Sequence, residues 1–309
     1  MYDVISIGSS IVDSFIKSKA FKLQKSAEGV LLCQTYGEKI DVDDYIVKSG
    51  GGGSNTAVGF SRMGFKTALV TEIGKDSFSD LILHELKQEL VSPNLVVSEK
   101  NEKTGGSIIL LSEDGGRTIM VHRGASSLLD PKDIPAPQIS RTKWVHLSSI
   151  SGQKDTLKFI FDVIRDAKTK FSWNPGNKEL SLIMSGEISL ERLPINILFV
   201  NKQEWEMVKE KQQIILDQCE QVVVTNGKHG GEIFVNGIHN TRFFSHESSS
   251  VDDTGAGDSF AVGYVSAQIK GKTVAQACSW GKRNAEAVIK HIGAKPGLLT
   301  INQIQGHND

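Results

Sequence analysis

Residues 144–174 read WVHLSSISGQKDTLKFIFDVIRDAKTKFSWN. Two strand-like runs, WVHLSS and FSWN, flank a helix-like one, TLKFIFDVIRDAK. A period that changes from strand to helix and back marks a crossover unit, and such crossovers join parallel strands. The alternation continues outward on both sides. NILFVN (196–201) and QVVVTN (221–226) read as further strands, and GKHGGEIFVNG (227–237) as a hairpin. Two helices follow, one from Asp258 and one over residues 274–291. Upstream, VISIG (4–8) reads as a buried strand stopped by glycine. Residues 56–63 carry Ala57, Phe60 and Met63 at helical spacing, KTALVTEI (66–73) is a strand, and LILHELKQEL (81–90) is a helix. Strand–helix alternation over most of the length predicts an α/β fold, a mostly parallel central sheet between helices.

Two stretches do not fit that layer. Residues 12–47 hold alternating pieces such as LLCQTYGEKIDVDDYIV, which read as exposed strands. Residues 97–124 read strand–turn–strand: GGSIILLS, then EDGG (113–116), then RTIMVHR. Neither can bury a face alone. They are expected to pack together as one small β lid, leaving 1–11, 48–96 and 125–309 as the α/β core.

Composition narrows the function classes. The 309 residues are 39% hydrophobic, with 35 basic and 36 acidic side chains. That suits one large domain, or one plus a small one. The near-zero net charge gives no electrostatic case for nucleic acid or membrane as the main partner. Cys33, Cys219 and Cys278 lie far apart, with no CxxC or HExxH, so neither a zinc site nor a disulfide framework is suggested. They read as ordinary buried thiols. No basic leader precedes the first strand, and no apolar run approaches the about 18 residues of a membrane span. The cytoplasm is the expected compartment.

Two glycine-rich stretches precede helices. GGGGSN (50–55) removes Cβ atoms where a ligand or another backbone must come close. It is neither a Walker A loop nor a dinucleotide fingerprint. VDDTGAGDSFAVGY (251–264) sets Thr-Gly-Ala-Gly before Asp258 at a helix mouth. The unpaired N–H groups and partial positive charge there attract anions, phosphates above all. Taken alone, Asp258 is either an N-terminal helix residue or an acid–base group beside an anion site.

GGGSNTAVGFSRMGFKTALVTEIGKD (51–76) resembles the first signature of the ribokinase-like sugar kinases, the PfkB carbohydrate kinase family: the glycines, Asn55, Ala57, Gly64 and Gly74 fall at that family's spacing. VDDTGAGDSFAVGY resembles its second signature. GSSIVD (8–13), NKQEWE (201–206) and VVVTNGKHGG (222–231) resemble smaller family segments, so the likeness covers nearly the whole chain. It implies a ribokinase-like core with a small β lid, and an ATP-dependent kinase acting on a hydroxyl of a small sugar of ribose, fructose or 2-keto-3-deoxygluconate type. The alternative on the same fold is a nucleoside kinase of adenosine, cytidine or inosine type. The lid segments hold few aromatics (Phe15, Phe21, Tyr36, Tyr45), which favours a free sugar. A non-catalytic sugar- or nucleotide-binding regulator is disfavoured by the intact Asp258 and its glycines, and a dehydrogenase by the missing fingerprint.

The resemblance also implies roles. Gly255, Ala256 and Gly257 aim N–H groups at the transferring phosphoryl, and Asp258 takes the proton of the attacking hydroxyl late, as that hydroxyl becomes acidic. Asp13, Gly52, Gly53 and Asn55 bind the sugar, with Arg123 and Asn174 as further contacts. Asn201, Thr225, Gly227, Gly230 and Asn284 serve the nucleotide. Glu204 holds Mg²⁺ through water, although Asn201 with Glu204 three later also satisfies a capping box. Asp252 and Thr254 surround a K⁺-like ion. Asp253 departs from the family pattern, adding a carboxylate near the phosphates and leaving the monovalent-ion assignment open. A homodimer through the lid is implied. His122, His146 and His229 read as structural or surface groups.

Overall fold

The computed structural model describes residues 1–306 apart from 28, 113–115, 192–193 and 246–249. The EDGG turn expected between two lid strands therefore lies largely outside the described residues. In chain order the strands are β1 (Val4–Ile7), β2 (Ile11–Lys17), β3 (Lys22–Ser26), β4 (Gly29–Cys33), β5 (Asp44–Gly50), β6 (Thr67–Glu72), β7 (Val96–Val97), β8 (Gly105–Leu111) and β9 (Arg117–His122). They continue with β10 (Trp144–Ser148), β11 (Lys170–Asn174), β12 (Ile197–Asn201), β13 (Gln221–Thr225), β14 (Gly231–Val235) and β15 (Ile238–Phe243). The helices are α1 (Gly52–Arg62), α2 (Ser77–Gln88), α3 (Ala136–Ile139), α4 (Lys154–Ala167), α5 (Asn177–Met184), α6 (Lys202–Met207), α7 (Gln212–Gln218), α8 (Ala256–Ile269), α9 (Val274–Val288) and α10 (Ile301–Gln305).

Nine strands form the central sheet, in the order β15-β14-β13-β12-β11-β10-β1-β6-β7. The seven from β13 to β7 run parallel; β14 and β15 add an antiparallel hairpin at one edge. Helices cover both faces. On one, α4 buries Leu157, Ile160, Phe161 and Ile164, the spacing of a single helical stripe. Phe161 meets Phe171 and Trp173 edge-on, with ring centres 5.9 and 5.2 Å apart. Each such side chain, fully buried, contributes about 1.5–3 kcal/mol. On the other face, α8 is buried along most of its length, between α1 and α9. That explains its apolar character all round. Among the described residues no helix is long and apolar enough to cross a membrane.

The strand-rich insertions meet in a second sheet, ordered β5-β2-β8-β9. β2 pairs antiparallel with β5 and parallel with β8, Ile11 opposite Gly105. β3 and β4 stand apart as their own hairpin. Residues 34–43, expected to contribute strands, contain none: Gly37 takes a left-handed turn (φ 82°), and the Asp43 carboxylate accepts from the Lys19 N–H instead of facing a ladder.

Three helix ends depart from expectation. α1 begins at Gly52, within the glycine run, and α9 ends at Val288. α8 starts two residues before Asp258, because Gly255 at φ 79° caps it, so Asp258 is its third residue. Cys219 and Cys278 are buried, and burial pushes their thiols up to about 12 and about 11; Cys33 is only half-buried. His146 is fully buried, with Nδ1 2.8 Å from Ser172 Oγ, and burial pushes it down to about 3. His122 and His229 are exposed.

Candidate active site

The parallel strands all end on one edge of the sheet, where Gly8, Ser148, Asn174, Asn201 and Thr225 follow or close their strands. Ligands of open α/β sheets bind beyond such carboxyl ends. There α1 and α8 present their N-termini.

The glycine run lets α1 dock. A Cβ on Gly53 would stand 2.6 Å from the Gly8 carbonyl carbon, and one on Gly52 2.8 Å from Ser148 Cβ. The space freed by these two glycines is thus filled by protein. Docking brings Asn55 to Asp258: Asn55 Nδ2 donates to Asp258 Oδ2 at 2.8 Å. Asn55, read from the sequence as a sugar ligand, thereby also orients the carboxylate. Among the described residues its Oδ1 is buried with no partner, as are Ser10 Oγ and Ser148 Oγ nearby. Asp258 is half-buried. Burial raises its pKa, against the Asn55 hydrogen bond and the charge of Lys295, which hold it down.

Asp13 leaves β2 beside the same place. It accepts from Ser107 Oγ at 2.5 Å, and a Cβ on Gly50 would collide with its Oδ2 at 2.0 Å. Burial raises its pKa too, opposed by Ser107 and Lys295.

A cleft of about 210 Å³ runs from Asp258 past Gly255, Ala256 and Gly257 to Asn174, Asn201 and Glu204. It shares Thr225, Asp253, Ala256 and Gly257 with a second cavity of about 350 Å³. Gly227, Gly230, Phe243, Phe260 and Ile289 line that second space. The first turn of α8 thus stands where a polar cleft joins a more apolar one, but the N–H of Ala256, expected to point at a phosphoryl group, already donates to Asp253 O at 3.2 Å. Asp253, the departure from the family pattern, lines both.

Asn201 and Glu204 form the capping box: Asn201 Oδ1 accepts from Glu204 N at 2.9 Å, and Glu204 Oε2 from Asn201 N at 2.8 Å. Oε2 is used for capping, which leaves Oε1 for a water. Burial raises the pKa of Glu204. Among the described residues no cluster of three or more His, Cys, Asp or Glu side chains could hold a metal. The oxygen donors here fit a hard divalent ion that brings its own phosphate and water ligands.

Asn284 and Arg123, expected at the site, line neither cavity. Asn284, placed by resemblance at the nucleotide, is 0% exposed. Its Nδ2 donates to Ser259 O at 2.7 Å and its Oδ1 accepts from Leu299 N at 2.9 Å, so it pins α8 to the C-terminal turn. Arg123 lines neither cavity; it precedes a short 3₁₀ turn with its side chain exposed. Asn174 lines the smaller cleft and donates to Phe199 O at 3.2 Å. Asp252 is already engaged. Its Oδ1 accepts from Arg117 Nη1 at 2.8 Å and from Thr254 N and Oγ1 at 3.0 and 2.6 Å; its Oδ2 accepts from Gly293 N at 2.9 Å. Arg117 also donates to Thr254 Oγ1 at 3.2 Å. A guanidinium from the second sheet thus stands on the oxygens assigned to a monovalent ion, and as arranged they do not fit one. Sequence reasoning missed Arg117, Ser107 and Lys295. For Lys295 the available signal was a lone charge within IGAKPGLL (292–299).

The pfkB family carbohydrate kinase profile matches residues 2–301. The chain is 27% identical to an uncharacterized sugar kinase of Archaeoglobus fulgidus, over 78% of this chain and 98% of that protein. It is 27% identical to ribokinase of Mus musculus, over 83% of this chain and 79% of that one. A putative ribokinase II from E. coli, solved with ATP and Mg²⁺, superposes with a TM-score of 0.82 at 17% identity, covering 99% of this chain and 98% of that one. At that identity the superposition speaks for the fold alone.

Proposed function

The chain belongs to the pfkB family of carbohydrate kinases, and from that membership we propose that it transfers the terminal phosphoryl group of ATP to a hydroxyl of a small free sugar of ribose, fructose or 2-keto-3-deoxygluconate type. The observation that carries the reading is Asp258, third residue of α8, held by Asn55 beside the open N-terminus of that helix. A hydroxyl placed between Asp13 and Asp258 finds a proton acceptor and, within one helical turn, N–H donors for the phosphoryl oxygens. The raised pKa of Asp258 makes it a better base than an exposed aspartate. The orphaned Asn55 Oδ1, Ser10 Oγ and Ser148 Oγ are polar groups for sugar hydroxyls to satisfy. The adenine moiety belongs in the 350 Å³ cavity, against Phe243, Phe260 and Ile289. Mg²⁺ would be held through water by Glu204, and it supplies neutralisation of the phosphate charge. The second sheet acts as the lid over the sugar, keeping out water as a competing acceptor.

A free sugar is preferred over a nucleoside because few aromatics stand on the lid among the described residues, Tyr45 alone of the lid aromatics lining, with Phe78, a cavity of about 780 Å³ beside Ser107. Tyr36 is fully exposed, Tyr45 mostly exposed, and Phe15 wholly buried. A homodimer through the lid belongs to the same reading. The exposed Ile108, Ile119, Met120 and Val121 support it, and sedimentation analysis tests it. The substrate test is a coupled ADP-release screen over ribose, fructose, 2-keto-3-deoxygluconate, adenosine, cytidine and inosine. Turnover of one of the three sugars is expected. Turnover confined to a nucleoside would replace the substrate class, and ADP release from none of the six would sink the reading as stated.

A further inference from the structure

We propose that Lys295 is a positioning residue for this site: its buried ammonium joins β5, α1 and α2 beside Asp13 and Asp258 and holds both carboxylates ionised and in place. The assignment of a catalytic task to Asp258 rests on the kinase reading above; the placement of Lys295 does not.

Lys295 is 3% exposed. An ammonium has three N–H donors, and its Nζ has three partners: Ser49 Oγ at 2.5 Å, Ser54 Oγ at 2.7 Å and Glu85 Oε2 at 2.6 Å. Ser49 also bonds Glu85. Each serine adjoins a residue that touches a site carboxylate. Ser49 precedes Gly50, whose backbone lies against Asp13, and Ser54 precedes Asn55, which holds Asp258. The lysine's own loop is fixed. Arg62 Nη1 donates to Lys295 O at 2.9 Å, and Ala294 packs so closely on Gly255 that a Cβ there would stand 2.3 Å away. One short segment thus braces the cap of α8, the start of α1 and the strand end beside Asp13.

The charges around the ammonium are Glu85 and Glu89 from the α2 side, Asp13 from β2 and Asp258 from α8. Arg62 neutralises Glu89 through a 2.6 Å ion pair, and Asp252 adds negative charge near Asp13. Burial lowers the pKa of Lys295, and Glu85 foremost holds it up. A buried ion pair adds little to stability compared with a well-packed apolar pair. Its effect on two functional carboxylates is the stronger physical reason for a charge here.

The test uses Lys295→Met and, because a single variant leaves Glu85 without its partner, the double variant K295M/E85Q. The double variant removes the ammonium without stranding a buried charge. In protein carrying ¹³C-labelled aspartate side chains, and with no substrate present, the carboxyl titrations of Asp13 and Asp258 are followed against pH, assigned through D13N and D258N. In Lys295→Met both midpoints should rise, since an opposite charge is removed; in the double variant, which loses the negative charge of Glu85 as well, they should rise less. Lys295→Arg, which keeps the charge, should move them least. With the sugar found in the screen, the acidic limb of kcat should move upward by the same amount. Unmoved midpoints in a Lys295→Met protein that melts cooperatively would overturn the proposal. Midpoints that rise while no sugar is phosphorylated would support the role of Lys295 and remove the kinase reading. Turnover with unmoved midpoints would do the reverse.

Discussion

α1 and α8 both begin in glycine, and the two beginnings are built for different purposes. At α1 the missing Cβ atoms face protein: Gly53 against Gly8, Gly52 against Ser148, Gly50 against Asp13. At α8 only the cap is packed, Gly255 on Ala294; among the described residues, no atom beyond its own stretch of helix lies within 4 Å of where a Cβ on Gly257 would stand. The first is a joint, in which glycine allows backbones to touch. The second is an open helix end, the proposed anion site, in which glycine leaves room. They meet at one hydrogen bond, Asn55 to Asp258. The joint therefore aims the carboxylate, and the open end is where the phosphoryl group is proposed to bind.

The largest expected effect is at that meeting point. Asp258→Asn keeps shape and place but cannot accept a proton. General-base loss typically costs about 10²–10⁴ in rate, while ATP should still bind, because the α8 amides remain. Steady-state kcat beside calorimetric ATP binding checks this. A variant keeping more than about a third of the wild-type kcat, far short of a general-base loss, would reduce Asp258 to a helix-terminal residue and leave α8 no catalytic distinction from α1.

Next comes the joint itself. Gly53→Ala pushes a methyl into the Gly8 backbone, which cannot yield as a flexible side chain would. Overpacking of this kind costs about 1–3 kcal/mol, read as a lowered midpoint in urea. Because α1 would shift, Asn55 should lose its hold on Asp258 and kcat should fall as well. A Gly53→Ala protein of wild-type stability would mean that the run is ligand-facing after all.

How much of this was legible beforehand varies by residue, for physical reasons. The core strands were legible because each is a short apolar run, buried on both faces. The pairing of β2 with β8 was legible only as a need, since neither insertion could bury a face alone; register across that separation leaves no local trace. Asn284 sits on a helix that reads as half-exposed, and only the fold shows α8 and the Leu299 turn closing over it. Lysine is almost never fully buried unless paired, so the identity of Lys295 pointed to the surface, while its partner Glu85 lies on a remote helix. Asp252 looked free for an ion because nothing in its neighbourhood announced Arg117 arriving from the second sheet. In each case the missing information was a long-range contact of a polar group, which periodicity does not encode.

The smallest effect is the sharpest discriminator, because it should carry opposite signs within one variant. Gly257→Ala adds a methyl in open space on the first turn of α8. Alanine in a helix is favoured over glycine by roughly 0.5–1 kcal/mol, so the protein should melt slightly higher. The same methyl stands in the cleft that the phosphoryl group is proposed to fill, so KM for ATP should rise and kcat should fall. At α1 the corresponding change is expected to lower stability and activity together. A Gly257→Ala protein that loses stability as Gly53→Ala does would show that α8 is a second packed joint. One that gains stability with unchanged ATP kinetics would show that the phosphoryl group lies somewhere other than the mouth of α8. Only a gain in stability alongside a loss in ATP handling fits a helix end left open for an anion.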